Sequence, residues 1–306
     1  MEPSFIFPLG TFQGNSLFIK REDLLPFSFG GNKARKAELY FRVIEQGGFD
    51  FVVTYGSGSS NHCRVIANEC ARRRLPCLII SPLESEDGSY NQQMVQLLGA
   101  DVRKVPLNKV SEEIDRILEE LKKVGKNPYF IKGGGHGNIG TEAYLQCYKE
   151  IQTYEEENEI YFDFIFLASG TGTTQAGLIC GQLQAGHERG IIGISVARKN
   201  PRGRDIVLES IRSYMGRGVA EEQIQKATVF EDEYTEGYGK KDARVSALIP
   251  EVLRRYGIPL DATYTGKAFW GMQQYLEKEN IKGKNLLFLH TGGTPLFFDG
   301  LRGREE

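Results

Sequence analysis

The feature that most constrains this chain is a repeated alternation: short, almost uninterrupted apolar runs, each followed by a stretch with helical spacing. FDFVVTYG (49–56) is rich in β-branched and aromatic residues and stops at glycine, and residues 61–74 then repeat apolar positions at the period of a helix. The pattern continues with a strand PCLIIS (76–81), a helix from Tyr90 to Leu98, a strand DVRKVPL, a helix near 111–124, a strand PYFIKGG and a helix from about 139. The second half carries FDFIFLASG (162–170), a helix from about 173, GIIGISV (190–196), another helix, ATVFE, helices near 245–257 and 266–280, and a final strand NLLFLH. Strands that are apolar throughout, rather than alternating, are buried on both faces. Strand–helix–strand order with such strands predicts an α/β fold of open, twisted, mainly parallel sheets covered by helices. Ligands in such sheets bind beyond the carboxyl ends of the strands.

At 306 residues the chain has room for about two domains of roughly 150 residues each. No linker or compositional break marks a boundary. The net charge of −2 offers no field for nucleic acid or an anionic membrane, and Arg72, Arg73 and Arg74 read as a solvated helix face among nearby acids. No apolar run approaches the ~18 residues of a bilayer span, and MEPSFIFPLG lacks the basic and apolar regions of a signal peptide. The five cysteines include no CxxC pair, so reduced thiols in a cytoplasmic protein are expected, without a disulfide framework or a metal site.

Glycine-rich segments fall where strands give way to helices. In FGGNKARKAEL (29–39), Lys33 stands where a helix begins. The positive end of a helix disfavours an ammonium, so this lysine is expected to titrate below ~10.4, as Schiff-base chemistry requires. In LASGTGTTQAGL (167–178) a strand ends in a Gly/Ser/Thr loop before a helix, a setting that binds phosphate through backbone N–H groups. The loop lacks GK[ST] and GxGxxG, and no acid ends the following strand, so a single phosphate suits it better than a dinucleotide. In YGSGSSNHC (55–63), Ser59, Ser60, Asn61 and the first amides of a helix could hold a carboxylate, and Ser60 could equally be an ordinary N-cap. TYTGKAF (263–269) and LHTGGTP (289–295) place hydroxyls at turns before glycine, and KGGGHGNIG (132–140) pairs three glycines with His136. Taken singly, each has a plain explanation: a surface lysine, a strand–helix turn, a cap, a loop histidine.

In this order, KREDL (20–24), GGNKARK (30–36), SNHCR (60–64), GGGHGNIG (133–140), SGTGTTQAGL (169–178), YTGKA (264–268) and HTGG (290–293) resemble the D-cysteine desulfhydrase / 1-aminocyclopropane-1-carboxylate deaminase family, over nearly the whole chain. That is a fold-type-II group of tryptophan-synthase-β-like enzymes using pyridoxal 5'-phosphate. The resemblance implies a large cofactor-binding domain from 1–38 and 150–306, a small domain from 39–149, and an active site in the cleft between them. It implies that Lys33 holds the cofactor as a Schiff base and moves the substrate α-proton. Asn61 would bond the cofactor's phenolic oxygen, and Gly170, Thr171, Gly172, Thr173 and Thr174 its phosphate. Tyr264 would lie on or beside the pyridine ring, and Thr291 would face its nitrogen. Ser60 would meet the substrate carboxylate and assist proton transfer, with Tyr238 facing the substrate. Ser59, His62 and His136 complete the expected substrate wall, and a homodimer is expected.

The implied activity is that of a lyase: α-proton abstraction and β-elimination on a small amino acid, giving a 2-oxo acid and ammonia. A β-replacement synthase shares every step up to the aminoacrylate, and a racemase needs only a second acid such as Ser60, Tyr238 or His136. A non-catalytic binder that keeps the fold and a nucleotide-binding oxidoreductase are the readings from other classes. Three departures stand out. Ser59 replaces a glutamine usual before Ser-Asn-His, and His136 replaces a small polar residue. Thr265 stands where ring-opening deaminases carry a glutamate, which favours the desulfhydrase-like branch. The chain also ends earlier than typical members.

Overall fold

The computed structural model describes residues 3–85, 88–237 and 239–302. Its strands, in chain order, are β1 Ile6–Phe12, β2 Asn15–Arg21, β3 Phe51–Tyr55, β4 Cys77–Pro82, β5 Asp101–Val105, β6 Pro128–Ile131, β7 Phe164–Ser169, β8 Gly190–Ser195, β9 Val229–Glu231 and β10 Asn285–His290. They form two sheets. One has the order β1-β2-β10-β7-β8-β9, the other β5-β4-β3-β6. Every pairing is parallel except β1 with β2. That hairpin is a feature the apolar runs did not predict. It closes through Gln13 and Gly14, both with positive φ, the conformation a two-residue hairpin turn demands.

Each sheet is apolar on both faces. In β10, Leu286 and Phe288 enter one core with Phe166, Ile194, Phe269 and Met272, while Leu287 and Leu289 enter the opposite core with Ile165, Tyr144 and Val207. The smaller sheet repeats the scheme: Val52, Ile79 and Ile131 meet Phe41 and Val65, and Val53 and Ile80 meet Ile114 and Ile117. Each such side chain, fully enclosed, contributes about 1.5–3 kcal/mol relative to exposure. The strands of the smaller sheet lie between residues 51 and 131, and those of the larger lie on either side of that span. The helices Asn32–Gln46 and Asn138–Glu157 run unbroken through positions 38 and 149.

KREDL and GGNKARK prove to be two halves of one buried ionic cluster. Arg35 grips Glu22 through Nε (2.6 Å) and Nη2 (2.8 Å) and reaches Glu150 through Nη1 (2.6 Å). Lys20 bonds the same Glu150 (2.7 Å), and Tyr144 and Ser4 donate to Glu22 at 2.8 and 2.6 Å. Burial alone would raise the Glu22 carboxyl; the Arg35 and Lys20 charges outweigh it and lower it to about 2. This cluster anchors the helix that carries Lys33, two residues before Arg35.

Candidate active site

The two sheets present their carboxyl ends to one cleft of about 820 Å³. The segments following β3, β6, β7, β8 and β10 supply its walls: Gly56–Ser57, Lys132–Gly134, Gly170–Gly172, Ala197–Lys199 and Thr291–Gly292. Its charged lining residues, Lys33, Lys132, Arg198, Lys199 and Arg202, are all basic.

Lys33 sits in the first turn of the helix Asn32–Gln46, and its Nζ donates to the Gly134 carbonyl (3.2 Å). The preceding Gly31 has φ +92°, and a Cβ there would stand 2.9 Å from the Thr291 carbonyl oxygen, so glycine lets the lysine turn lie on the HTGG loop. Enclosure by protein lowers the Lys33 amine to about 8. The expected direction is right; its cause is loss of solvent. Three residues on, Lys36 is fully enclosed and its Nζ has no hydrogen-bond partner. Burial, and then the Lys33 charge, push its amine well down.

Ser60 caps the helix Asn61–Arg73, its Oγ accepting from the N–H groups of His62 (3.2 Å) and Cys63 (3.3 Å), and it also lines the cleft. Capping and a place in the site therefore coexist. Asn61 lines the cleft with its Oδ1 occupied by Arg64 Nη1 (2.7 Å) and Asn91 Nδ2 (3.0 Å), which leaves its NH2 end for a ligand. His62 is buried. Thr54 Oγ1 donates to the Ile131 carbonyl, so the His62 Nε2–H must donate to Thr54 (2.8 Å). Burial and the charges of Lys33 and Lys36 hold this imidazole neutral. Ser59 lies outside the cleft lining, with its Oγ near Ser57 Oγ (3.4 Å) and its carbonyl bound by Asn91 (2.8 Å).

The loop after β7 lines the cleft at Gly170, Thr171, Gly172 and Thr174 and starts the helix Thr173–Ala185. Gly172 has φ +81°, and a Cβ there would press on Ile206 and Val207 at 3.0 and 3.1 Å. Asn32 Nδ2 donates to Thr174 Oγ1 (3.1 Å), joining the lysine turn to this loop. Thr173 is buried behind the loop, where its Oγ1 meets His136 Nδ1 (3.1 Å). His136 thus packs on the back of the loop while still lining the cleft, and its pKa is lowered by burial and by Lys36. Ser169 Oγ, also in the lining, is buried without a partner, and Arg198 Nη1 donates to the Gly170 carbonyl. Gly134 meets the loop from the other sheet: a Cβ there would lie 2.7 Å from Thr171 Cγ2.

Tyr264 and Thr291 line the remaining wall. Tyr264 is held at the start of the helix Thr265–Lys278 by Asp261, whose Oδ1 accepts its N–H (2.7 Å). Thr265 is fully buried and donates its hydroxyl to Asp261 Oδ2 (2.8 Å). Thr291 offers its carbonyl to the Asn32 N–H (3.0 Å), so its turn and the lysine turn are one unit. Tyr238 lies outside the described residues.

Residues 6–292 match the family described as "Pyridoxal-phosphate dependent enzyme". The chain belongs to this family. Among its relatives, the D-cysteine desulfhydrase of Serratia proteamaculans (strain 568) is 30% identical over 298 residues, 95% of this chain and 90% of the relative. The putative 1-aminocyclopropane-1-carboxylate deaminase of Pyrococcus abyssi (strain GE5 / Orsay) is 33% identical over 297 residues, covering 93% and 86% of the two chains. A crystal structure of an ACC deaminase homologue superposes with a TM-score of 0.86 at 30% identity, over 99% of this chain and 94% of that one. A threonine deaminase isoform from Solanum lycopersicum, at 20% identity and a TM-score of 0.67, shares the fold.

The protein is a pyridoxal-phosphate-dependent enzyme, and its residues fit that cofactor. Ser169 Oγ, in the lining, is a buried polar group lacking a partner that a phosphate near the loop amides would supply, and Lys36 Nζ, one helical turn from Lys33, is a second buried donor without one. The loop's positive-φ glycine and the helix start behind it make an anion cradle, and the basic lining suits both a phosphate and an amino-acid carboxylate. Lys36, Ser169, Asn32 and Asp261 are site residues that sequence reasoning missed. Lys36 stood in view in GGNKARK, one helical turn after Lys33.

Proposed function

We propose that this enzyme is a lyase that removes the α-proton of a small amino acid and expels its β-substituent, yielding a 2-oxo acid and ammonia. One observation carries the reading. A lysine whose amine is lowered to about 8 faces a cleft with a donor amide at Asn61 and a capping serine at Ser60 on one side and an anion loop on the other. Bound pyridoxal phosphate supplies an electron sink for charge developing at the substrate α-carbon.

In this reading Lys33 would hold the cofactor through its amine, and the same Nζ would take the substrate α-proton. Asn61 Nδ2 would donate to the cofactor's phenolic oxygen, and Gly170, Thr171, Gly172 and Thr174 would hold its phosphate, with Lys36 as a further donor from behind the lining. Thr173 acts from behind by fixing His136. Tyr264 and Thr291 border the ring. Ser60 and the first amides of its helix take the substrate carboxylate, with Ser60 Oγ–H as a proton relay. His62 and His136 are assigned to the surrounding substrate wall; Ser59, outside the lining, would act only through its neighbour Ser60, and the assignment of Tyr238 to the substrate rests on the resemblance alone. No carboxyl lines the cleft among the described residues, and Thr265 is committed to Asp261, so neither offers an acid to the cofactor's ring nitrogen. That favours a D-cysteine-like substrate over cyclopropane ring opening.

The boundaries 1–38 with 150–306 and 39–149 are kept as the proposed division of the chain. A homodimer belongs to the same reading, as the resemblance implies. A cytoplasmic location agrees with five free, buried cysteines. Among the described residues no helix is long and apolar enough to cross a membrane.

The test is a spectral titration of purified holoenzyme with a panel of D- and L-amino acids, followed by 2-oxo acid detection. Turnover of cysteine-like substrates to 2-oxo acid supports the lyase. Product that appears only with an added nucleophile would point to the synthase, and loss of chirality without keto acid to the racemase.

A further inference from the structure

Three arginines are buried in the described structure: Arg35, Arg64 and Arg189. Arg35 is paired with Glu22 and Glu150, and Arg189 with Glu155. Arg64, 1% exposed, meets only neutral oxygens. Its Nε donates to Ser28 Oγ (3.1 Å), and its Nη1 forks between Asn61 Oδ1 and Asn91 Oδ1, both at 2.7 Å. No carboxylate lies within ion-pair distance among the described residues. An unpaired buried charge costs several kcal/mol, so its survival calls for an anion near the site. Burial lowers its pKa to about 10, which leaves it charged at neutral pH.

The fork also fixes which way Asn61 points. Asn91 closes a ring by donating from Nδ2 to Asn61 Oδ1 (3.0 Å) and to the Ser59 carbonyl (2.8 Å). Two donors therefore converge on Asn61 Oδ1. Turning the amide over would set its NH2 against the Arg64 N–H groups, so only Nδ2 can face the cleft. Ser28, the third anchor, has φ +49° and lies in a left-handed turn with Phe27 and Phe29, just before the glycines that precede Lys33. Arg64 thus ties the lysine turn to the helix bearing Asn61.

The geometry points to Arg64 as a positioning residue: it aims the Asn61 N–H into the cleft and, by polarising that amide through Oδ1, makes it a stronger donor to an anionic oxygen there, the cofactor's phenolate. This rests on the pyridoxal-phosphate reading of the cleft given above.

The test is a double-mutant cycle on cofactor affinity, read by absorbance and equilibrium dialysis, with urea unfolding of the cofactor-free proteins as the control for folding. Arg64→Met is expected to weaken pyridoxal phosphate binding by about 10-fold or more, the scale of one charge-assisted hydrogen bond, and to shift the bound cofactor's absorbance band. Arg64→Lys should fall between Met and wild type, because one ammonium keeps the charge but not the fork. Arg64→Met combined with Asn61→Ala should bind no more weakly than Asn61→Ala alone. Wild-type affinity in Arg64→Met, or losses that multiply in the double variant, would overturn the assignment. If Arg64→Met does not fold, Arg64→Lys with Asn61→Ala gives the same cycle. A wild-type protein that takes up no pyridoxal phosphate would sink the cofactor reading and Arg64 with it. Normal uptake with multiplying losses would sink Arg64 alone.

Discussion

Lys33 Nζ and the Gly134 carbonyl oxygen are 3.2 Å apart, so the amine is held by the segment that follows β6 and not by solvent. An amine placed in this way has one acceptor, no carboxylate partner and an open cleft before it. Lys33→Ala is expected to abolish turnover and leave the fold intact. Circular dichroism should match wild type, and borohydride should no longer fix the cofactor to the protein. Retained turnover would remove Lys33 from the chemistry.

The lowered Lys33 amine sets a pH dependence for cofactor capture. Its neutral, nucleophilic form dominates above about 8, whereas an ordinary lysine at 10.5 would be mostly charged there. Reconstitution of cofactor-free protein should therefore quicken as pH rises and level off above about 8. Stopped-flow absorbance checks this. A rate still climbing steeply beyond pH 10 would show an amine that burial has not perturbed.

Thr174 lies in the first turn of the helix behind the anion loop and accepts from Asn32. Thr174→Asp places a carboxylate against the phosphate, and two like charges at ~4 Å repel by about 1–4 kcal/mol between bulk water and a protein surface. Cofactor affinity should fall about 10-fold or more, measured by dialysis against free pyridoxal phosphate. Unchanged occupancy would move the phosphate elsewhere.

The Glu22–Arg35 pair makes a prediction about stability. The Glu22 carboxyl is lowered from 4.5 to about 2, so its contribution is complete above 4.5 and is lost as pH falls through about 2. Glu22→Gln strands the buried Arg35 and should cost about 3–5 kcal/mol at neutral pH. Urea midpoints between pH 7 and 2 would register both the lower plateau and a flatter acid limb. A variant as stable as wild type would mean that Glu150 alone satisfies Arg35.

The parallel sheets were legible because their strands are buried on both faces and so read as unbroken apolar runs, as NLLFLH and FDFIFLASG do. The β1–β2 hairpin was not. Pro8 and Gly10 interrupt β1, whose register slips between them, and its edge position leaves only one of its seven residues buried, so no long apolar run forms. The cleft residues at strand ends were legible one by one as glycine and hydroxyl punctuation. The partnerships were not, since Arg35 with Glu22 or Arg64 with Asn91 join residues distant in the chain. The fall in the Lys33 pKa was expected from a helix end, but burial, which no local pattern displays, accounts for it. Tyr238 rests on resemblance alone.

At Gly134 the seam between the sheets closes on a single hydrogen atom. Even a methyl group there would collide with Thr171 and wedge the two loops apart. Gly134 therefore sets how closely the two loops approach on that flank. Room for differently shaped amino acids lies instead farther along the same sheet's rim, past the ends of β3 and β4 at Ser57, Ser60 and Pro82.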